Sequence, residues 1–389
     1  MKKRWLWLMI AFAAFAVFMT SAPPVAQTVS AVTAPAKGMI YVDAQGRSYI
    51  TLRSLDGFAG GRIVQGENGR AVTLSLGEDA TLDMSPGSTV ATLNGVPVTL
   101  KAAPFNKGGS LYVPLTAVTS AFGWIVRWER DIEAAQLVAP DGDSLRLPVA
   151  RGKHPADMKP VEQASVRFKV GGRTYVSQVV TVALLHPEVR LDTVLAGNKI
   201  GKVEELGSMA KRAKARVAIN GTFFDAYTDS DFKVPYGYIA GGGKLKKNSS
   251  GDKRATFLYD ADQLAEIVPG LSFMERFNQG TVEGAVQAGP QLVAKGKVAL
   301  DIAGEGFKDP KILTNGGARS AIGITHDHLL LLLTTGGATI PQLAEIMRQA
   351  GAWQAMNLDG GASSGLWTDG KYLTKPGRLL SNALVVRVG

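Results

Sequence analysis

The sequence predicts an α+β protein in two parts: a small β-rich N-terminal domain, then a larger mixed α/β domain around a mixed sheet. Three observations carry this. The chain has 389 residues, more than one ordinary core holds. Residues 37–140 repeat themselves at an offset of 63, Tyr49 falling on Tyr112. From Ala164 onward, apolar runs of strand length end in glycines, asparagines or a carboxylate, and helical patterns separate some of them.

Composition narrows the function classes. Hydrophobic residues make up 46% and charged residues 20%, enough apolar content for most of the chain to fold. The formal net charge is +10, spread over scattered Lys and Arg with no nucleic-acid motif. The expected partner is therefore an anionic glycan or sugar-phosphate polymer, and no nucleic acid. There is no cysteine, which excludes disulfides and thiol catalysis and leaves export open.

Residues 1–36 read as an export signal. Lys2-Lys3-Arg4 precedes an unbroken apolar run, Trp5 to Met19, and small residues allow cleavage after Ala31 or Ala36. The run is short for a membrane span. Membrane contact is expected only through this segment before cleavage, and the mature protein is expected to be secreted or held at the cell surface.

Residues 37–140 come next. Tyr49-Ile50-Thr51-Leu52 matches Tyr112-Val113-Pro114-Leu115, and Leu55, Gly60, Ile63 and Leu74 match Val118, Gly123, Val126 and Leu137. Each unit reads as an extended segment, a short helix, a glycine and a hairpin. Neither can bury its own apolar face, so the two should pack together. Asn94-Gly95 marks a hairpin turn. Trp124 and Trp128 are expected to pack in a core or interface. This stretch resembles the copper amine oxidase N-terminal domain found on many secreted Gram-positive proteins. It contains no His, so no copper site is expected, and it reads as a stalk. Pro148, Pro155 and Pro160 mark residues 141–163 as a linker, with His154 solvated in it.

Residues 164–389 form the larger domain. Ser165–Val170 and Thr174–Leu184 read as a hairpin, and Val189–Leu195 as a strand. Lys202–Ala215 reads as an amphipathic helix with Val203, Leu206, Met209, Ala210 and Ala213 on one face. Val217–Asp225 reads as an apolar strand ending in polar residues and a glycine, then two aromatics; Ala255–Tyr259 reads as a strand, and Gly284–Val293 as a strand broken at Ala288-Gly289-Pro290. Arg319–Ile324 and Leu329–Thr334 flank His326-Asp327-His328. Two histidines beside a turn with no third ligand nearby read as solvated turn residues rather than a metal site. Thr339 and Gln342 form a capping box for a helix with Pro341 in its first turn and Gly351 past its end. A helix joining neighbouring strands usually makes them parallel, hence the expected mixed sheet. The strand after it, Trp353 to Leu358, ends in Asp359, two glycines and two hydroxyls. A carboxylate at a strand end beside bare amides suits an anionic ligand.

Five segments share the design of an apolar strand with a polar or glycine-rich end: Ile219–Phe224, Ala288–Leu292, Arg319–Gly323, Asn357–Ser363 and Leu380–Leu384. With Asn220-Gly221-Thr222-Phe223-Phe224 and Asn357-Leu358-Asp359-Gly360-Gly361-Ala362-Ser363 in this order, residues 165–389 resemble the phosphodiester glycosidase family. The resemblance implies hydrolysis of the C1–O bond of a sugar 1-phosphodiester of N-acetylglucosamine type, in a cell-wall or exopolysaccharide glycan. Phosphate is already a good leaving group, so the site must hold its charge and stabilise an oxocarbenium-like sugar. Arg319 would clamp phosphate. The amides of Gly360 and Gly361 would add a nest, and Asp359 would be the nucleophile or electrostatic stabiliser. Asn220 and Asn382 would bind sugar hydroxyls or orient Asp359. Gly221, Gly289, Asn357 and Ser363 would line the site, with Asp225 or Glu283 as second carboxylate. No cofactor is implied; a divalent metal stays open.

Two departures bear on this. Ala362 stands where the family often has glycine, tolerable only if that position does not need positive φ. Thr334-Thr335-Gly336-Gly337 stands where a charged turn is common. Two other readings compete: a non-catalytic glycan-binding or envelope-assembly protein, and a phosphodiesterase cleaving P–O with metal help.

Overall fold

The computed structural model describes residues 37–66, 71–77 and 80–389, and the export signal expected over residues 1–36 lies outside them. Among the described residues strands take 46% and helices 16%, so the fold is strand-rich rather than a balanced mixture.

The repeat folds as a pair. Ser48–Thr51 lies antiparallel to Ser110–Pro114, with Ile50 opposite Val113, so the two units meet through equivalent strands. A turn of helix follows the first strand (Leu52–Leu55) and a full helix the second (Leu115–Phe122). Leu55 and Val118, matched in the repeat, are both fully buried. Trp124 packs on Phe58 and Phe122 in the same core. Asn94-Gly95 turns between Val90–Leu93 and Val96–Thr99, with positive φ at both residues.

The expected linker is not one. Ser144–Arg151 is a strand between Ala134–Val138 and Ile40–Val42. Its pairing with Ile40–Val42 is the one parallel ladder among the described residues, so the mixed sheet lies in the N-terminal part. Pro148 sits within the strand, at a position where prolines are usually confined to edges. His154 is buried rather than solvated, its ring 4.8 Å from that of Tyr41 and 5.0 Å from that of Tyr112.

Burial lowers the pKa of His154 to about 4, and lowers those of His186 and His328. An unfolded histidine takes its proton near pH 6.5. Stability from these groups is thus complete above pH 6.5 and is lost as pH falls toward 4. Urea midpoints should drop across that window, and His154→Gln should flatten the drop. An unchanged slope in the variant would refute the assignment to His154.

The larger part is built of three antiparallel sheets around one core. The first holds Val161–Val170, Arg173–Ala183, Leu329–Ala338, Gly317–Ile324, Gln354–Asn357 and Gln291–Ala294, in that order, with Lys297–Val298 at the edge. The second runs Val189–Leu195, Asn382–Val388, Val217–Asn220, Leu366–Thr368, Lys371–Thr374. The third holds Ile239–Gly241, Val282–Gln287 and Thr256–Asp260 between two edge strands. Leu332, Met356, Ile219, Leu384, Phe257 and Val286, drawn from all three sheets, share the central cluster.

Each sheet carries a helix on its outer face. Leu331 and Leu333, alternating with the inward Leu330 and Leu332, meet Ile340, Leu343 and Met347 of the helix Ile340–Gln349. That explains a strand of consecutive leucines, which is buried on both faces. The helix Leu206–Arg212 packs Met209 and Ala210 on Ala218 and Val385. The helix Gly270–Asn278, which has no clear mark in the sequence, packs Phe273 on Tyr238 and Ala285.

The expected parallel neighbours are parallel but not adjacent. Leu329–Ala338 and Gln354–Asn357 both pair antiparallel with Gly317–Ile324, which lies between them. The capping box at Thr339 and Gln342 is present. The helix expected over Lys202–Ala215 is shorter, because Glu204 instead bridges to Leu380.

The two parts pack together. Arg146 reaches Glu266 at 2.6 Å, and Lys37 donates to the His186 carbonyl at 2.6 Å. His326 and His328 each place Nε2 2.9 Å from a carbonyl, of Arg130 and Glu133 respectively. The His-x-His turn is therefore a docking contact, with His328 buried rather than solvated. No helix among the described residues is long and apolar enough to cross a membrane.

Candidate active site

The site forms where strand ends from two sheets meet. Gln354–Asn357 pairs with Gly317–Ile324, Asn357 opposite Ala321. The Leu358 amide continues the ladder to the Ser320 carbonyl at 2.9 Å. Extending this register one step brings Asp359 level with Arg319. Both line an open cleft of about 570 Å³.

Arg319 is only 4% exposed, and it has no carboxylate partner among the described residues. Its Nε donates to the Ala338 carbonyl at 2.9 Å, and Nη2 to those of Lys311 and Asn315, each at 2.7 Å. These bonds fix the guanidinium plane and leave its charge uncompensated. Desolvation lowers its pKa accordingly. Nη1 has no acceptor among the described residues and faces Gly360, where a Cβ would stand 3.6 Å from it. Gly336 and Gly337, the departure from the family's charged turn, sit in the strand whose Ala338 carbonyl holds Arg319.

Asp359 is the complementary group. Burial pushes its pKa up to about 7, against hydrogen bonds from Ser363 and Gly360 and the field of Arg378. Gly361 takes φ +61, a left-handed conformation that favours glycine. Ala362 is not among the positive-φ residues, so alanine fits there. The amides of Gly361 and Ala362 donate to no protein acceptor among the described residues, so the nest is displaced one residue from the expected Gly360–Gly361 pair.

The asparagines play a different part. Asn220 is buried, donates from Nδ2 to the Asp359 carbonyl at 2.7 Å, and accepts from Ser320 Oγ at 2.7 Å and the Gly365 amide at 3.0 Å. All its polar capacity but one N–H is spent on protein, so it holds the Asp359 backbone and does not line the cleft. Asn382 is also buried; it accepts from the Thr222 amide at 3.0 Å and donates to Thr222 Oγ1 at 2.7 Å. The Gly221 carbonyl accepts from the Asp359 amide at 3.2 Å. Asn357 is buried and donates to the Gly289 carbonyl at 2.9 Å, where Gly289-Pro290 is cis. Gly289 and Asn357 thus brace the strand beneath Asp359 instead of facing ligand.

Of the two candidate second carboxylates, Asp225 lines the cleft and Glu283 does not. Glu283 lies on Val282–Gln287, near Gly243. Gly360, Gly361 and Ser363 line the cleft as expected. Sequence reasoning missed Tyr227, Tyr236, Arg254, Asp309, Lys311, Asn315 and Arg378 there. Each sits on a loop or in a one-turn helix, where no periodicity marks it. Arg254 is paired with Asp252 at 2.9 Å.

A guanidinium without a carboxylate partner among the described residues and a carboxylate of raised pKa lie level with one another at a strand-end cleft, an arrangement that suits an anionic ligand. By sequence, residues 213–387 match the phosphodiester glycosidase family, and residues 29–137 match the copper amine oxidase N-terminal domain. No curated protein matches the chain. Among solved structures, the catalytic domain of zebrafish N-acetylglucosamine-1-phosphodiester alpha-N-acetylglucosaminidase, auto-inhibited by its pro-peptide, is similar at 21% identity and TM-score 0.51. That likeness covers 61% of this chain and 86% of that one. A hypothetical protein from Synechocystis is similar at 15% identity and TM-score 0.52, over 91% of this chain and 99% of that one. At these identities the likeness shows fold.

Proposed function

We propose that the protein is a secreted hydrolase that cleaves the C1–O bond of a sugar 1-phosphodiester, of N-acetylglucosamine type, in a cell-envelope or exopolysaccharide glycan. The observation that carries this reading is Arg319, buried and without a carboxylate partner among the described residues, level with Asp359 in one cleft. The match of residues 213–387 to the phosphodiester glycosidases supports it.

The chemistry follows from the groups present. Arg319 and the free amides of Gly361 and Ala362 hold the phosphate oxygens, so negative charge is stabilised as the C1–O bond lengthens. Phosphate leaves without a strong general acid. Asp359 in its ionised form attacks or stabilises C1 as phosphate departs, and water then adds at C1, so that the products are the free sugar and a phosphate monoester. Since its pKa is about 7 and the ionised form is required, kcat/KM should rise as pH increases through about 7.

Hydrolysis of the methyl diester of N-acetylglucosamine 1-phosphate in water labelled with heavy oxygen tests the bond cleaved. Label in the released sugar supports the proposal; label in phosphate means P–O cleavage and overturns it. Arg319→Gln should lower kcat/KM by roughly 10²–10³-fold, the loss seen when one charge-stabilising donor is removed. A variant within threefold of wild type would remove Arg319 from this role.

A further inference from the structure

The cleft does not end at Asp359. Arg378 lines it and also lines an adjoining pocket of about 240 Å³ walled by Glu205, Tyr372, Lys375 and Leu379. The loop carrying Arg378 is tied to the motif loop: the Gly377 amide donates to the Ala362 carbonyl at 2.7 Å. The two hollows therefore share a cation and a common backbone support.

In the adjoining pocket two cations, Arg378 and Lys375, stand against one carboxylate, Glu205. Arg378 donates from Nη2 to the Tyr227 hydroxyl at 2.9 Å and lies 4.7 Å over that ring. Lys311 approaches the same ring at 5.4 Å. Neither these two cations nor Lys375 forms an ion pair among the described residues. Tyr227 is 75% exposed, an aromatic face of the kind sugars stack on. Tyr372 is fixed by the Gly207 amide, which donates to its hydroxyl at 2.9 Å. A single sugar phosphodiester needs one anion site, which Arg319 supplies. Two cations against one carboxylate in the adjoining hollow suit a ligand that carries negative charge again one unit along.

We propose that the pocket at Tyr372, Lys375 and Arg378 is an outer subsite for the next anionic unit of a polymeric substrate, so that the protein acts on chains of phosphate-linked sugars in preference to single diesters. This rests on the function proposed above and specifies its substrate class. The occupant is a second phosphate held by Arg378 and Lys375, with its sugar against Tyr372.

The test compares a short oligomer of N-acetylglucosamine joined through 1-phosphodiesters with the methyl diester of one unit. Wild type should turn over the oligomer with the higher kcat/KM. Lys375→Glu, at an exposed position outside the catalytic cleft, should lower kcat/KM for the oligomer about tenfold, leave the methyl diester unchanged, and keep the melting temperature. Equal loss on both substrates, no loss on either, or no preference in wild type would overturn the subsite. Binding of both ligands to the full chain carrying Asp359→Asn separates the two proposals. If wild type hydrolyses neither ligand, the enzymatic reading fails. The subsite then stands only if the oligomer binds more tightly than the single unit and Lys375→Glu removes the difference.

Discussion

Asp359→Asn is expected to abolish turnover and, above pH 7, to make the protein more stable. Both effects follow from where the carboxylate sits. It closes a strand buried in the central core and faces the cleft, so ionisation there is opposed by desolvation and its pKa stands near 7. The sign of the stability effect follows from linkage. The folded carboxyl holds its proton more tightly than the unfolded one, whose pKa is about 3.8. Its contribution to stability is present at low pH and is lost as pH rises from about 4 to about 7. At pH 8 the wild type carries a charged Asp359, disfavoured by roughly 2–4 kcal/mol when each pKa unit counts about 1.4 and partial solvation is discounted. Asparagine keeps the shape and removes that charge. The variant should melt higher by a small margin at pH 5, where about a third of the effect is present, and by several degrees at pH 8. Asp260, also pushed up to about 7, makes both proteins lose stability over the same range, so the difference between them is the quantity to read. Activity should fall by about 10³-fold or more, because the group that meets C1 has lost its charge. A variant that is stabilised yet fully active would show that Asp359 is strained for another reason. One that is inactive but no more stable at pH 8 than wild type would show that the carboxylate is not desolvated.

What the sequence revealed divides along a physical line. Val189–Leu195 was legible to the residue, as were the capping box at Thr339 and the turn at Asn94-Gly95, because each depends on neighbours a few positions away. The repeat was legible because both copies solve the same burial problem. Sheet membership was not. Gly284–Val293 read as one interrupted strand, yet the chain forms two, Val282–Gln287 and Gln291–Ala294, which lie in different sheets. Gly317–Ile324 inserts between the strands expected to be adjacent, a pairing across distant chain that no local pattern announces. Pro148 signalled a linker, where distant pairing made a strand.

The site divides in the same way. Asp359 and Arg319 stood out because a charged residue at the end of an apolar strand is conspicuous, and strand register brings them level. Asn220 and Asn382 stood out equally and have another role. An asparagine at a strand end serves ligand or backbone according to what surrounds it, and their partners come from 139 and 160 residues away. Tyr227, Lys311 and Arg378 gather from three separate segments around one ring. Only the folded chain shows them to be one cluster.

The asparagine pair leads to the second large effect: Gly221→Ala should unfold the site from beneath. Gly221 does not need a left-handed backbone, since its φ is not positive. It needs to have no side chain. A Cβ there would stand 1.9 Å from Asn382 Oδ1 and 3.0 Å from its Cγ. Asn382 is 1% exposed and has no free space to retreat into. Moving it breaks the bond from the Thr222 amide to Oδ1 and those from Nδ2 to Thr222 Oγ1 and Ser381 Oγ. Each buried polar group left unpaired costs about 1–3 kcal/mol, so the loss should reach roughly 3–6 kcal/mol. The Gly221 carbonyl also accepts the Asp359 amide, so the displacement passes directly to Asp359. The expected result is a fall in melting temperature of ten degrees or more, with kcat reduced even in the fraction still folded. Pairing Gly221→Ala with Asn382→Gly should relieve the overlap and recover part of the stability lost in the single variant. If the double variant is no more stable than Gly221→Ala alone, the clash with Asn382 is not the cause, and the knot of Asn220, Gly221 and Asn382 does not support the cleft in the way its hydrogen bonds indicate.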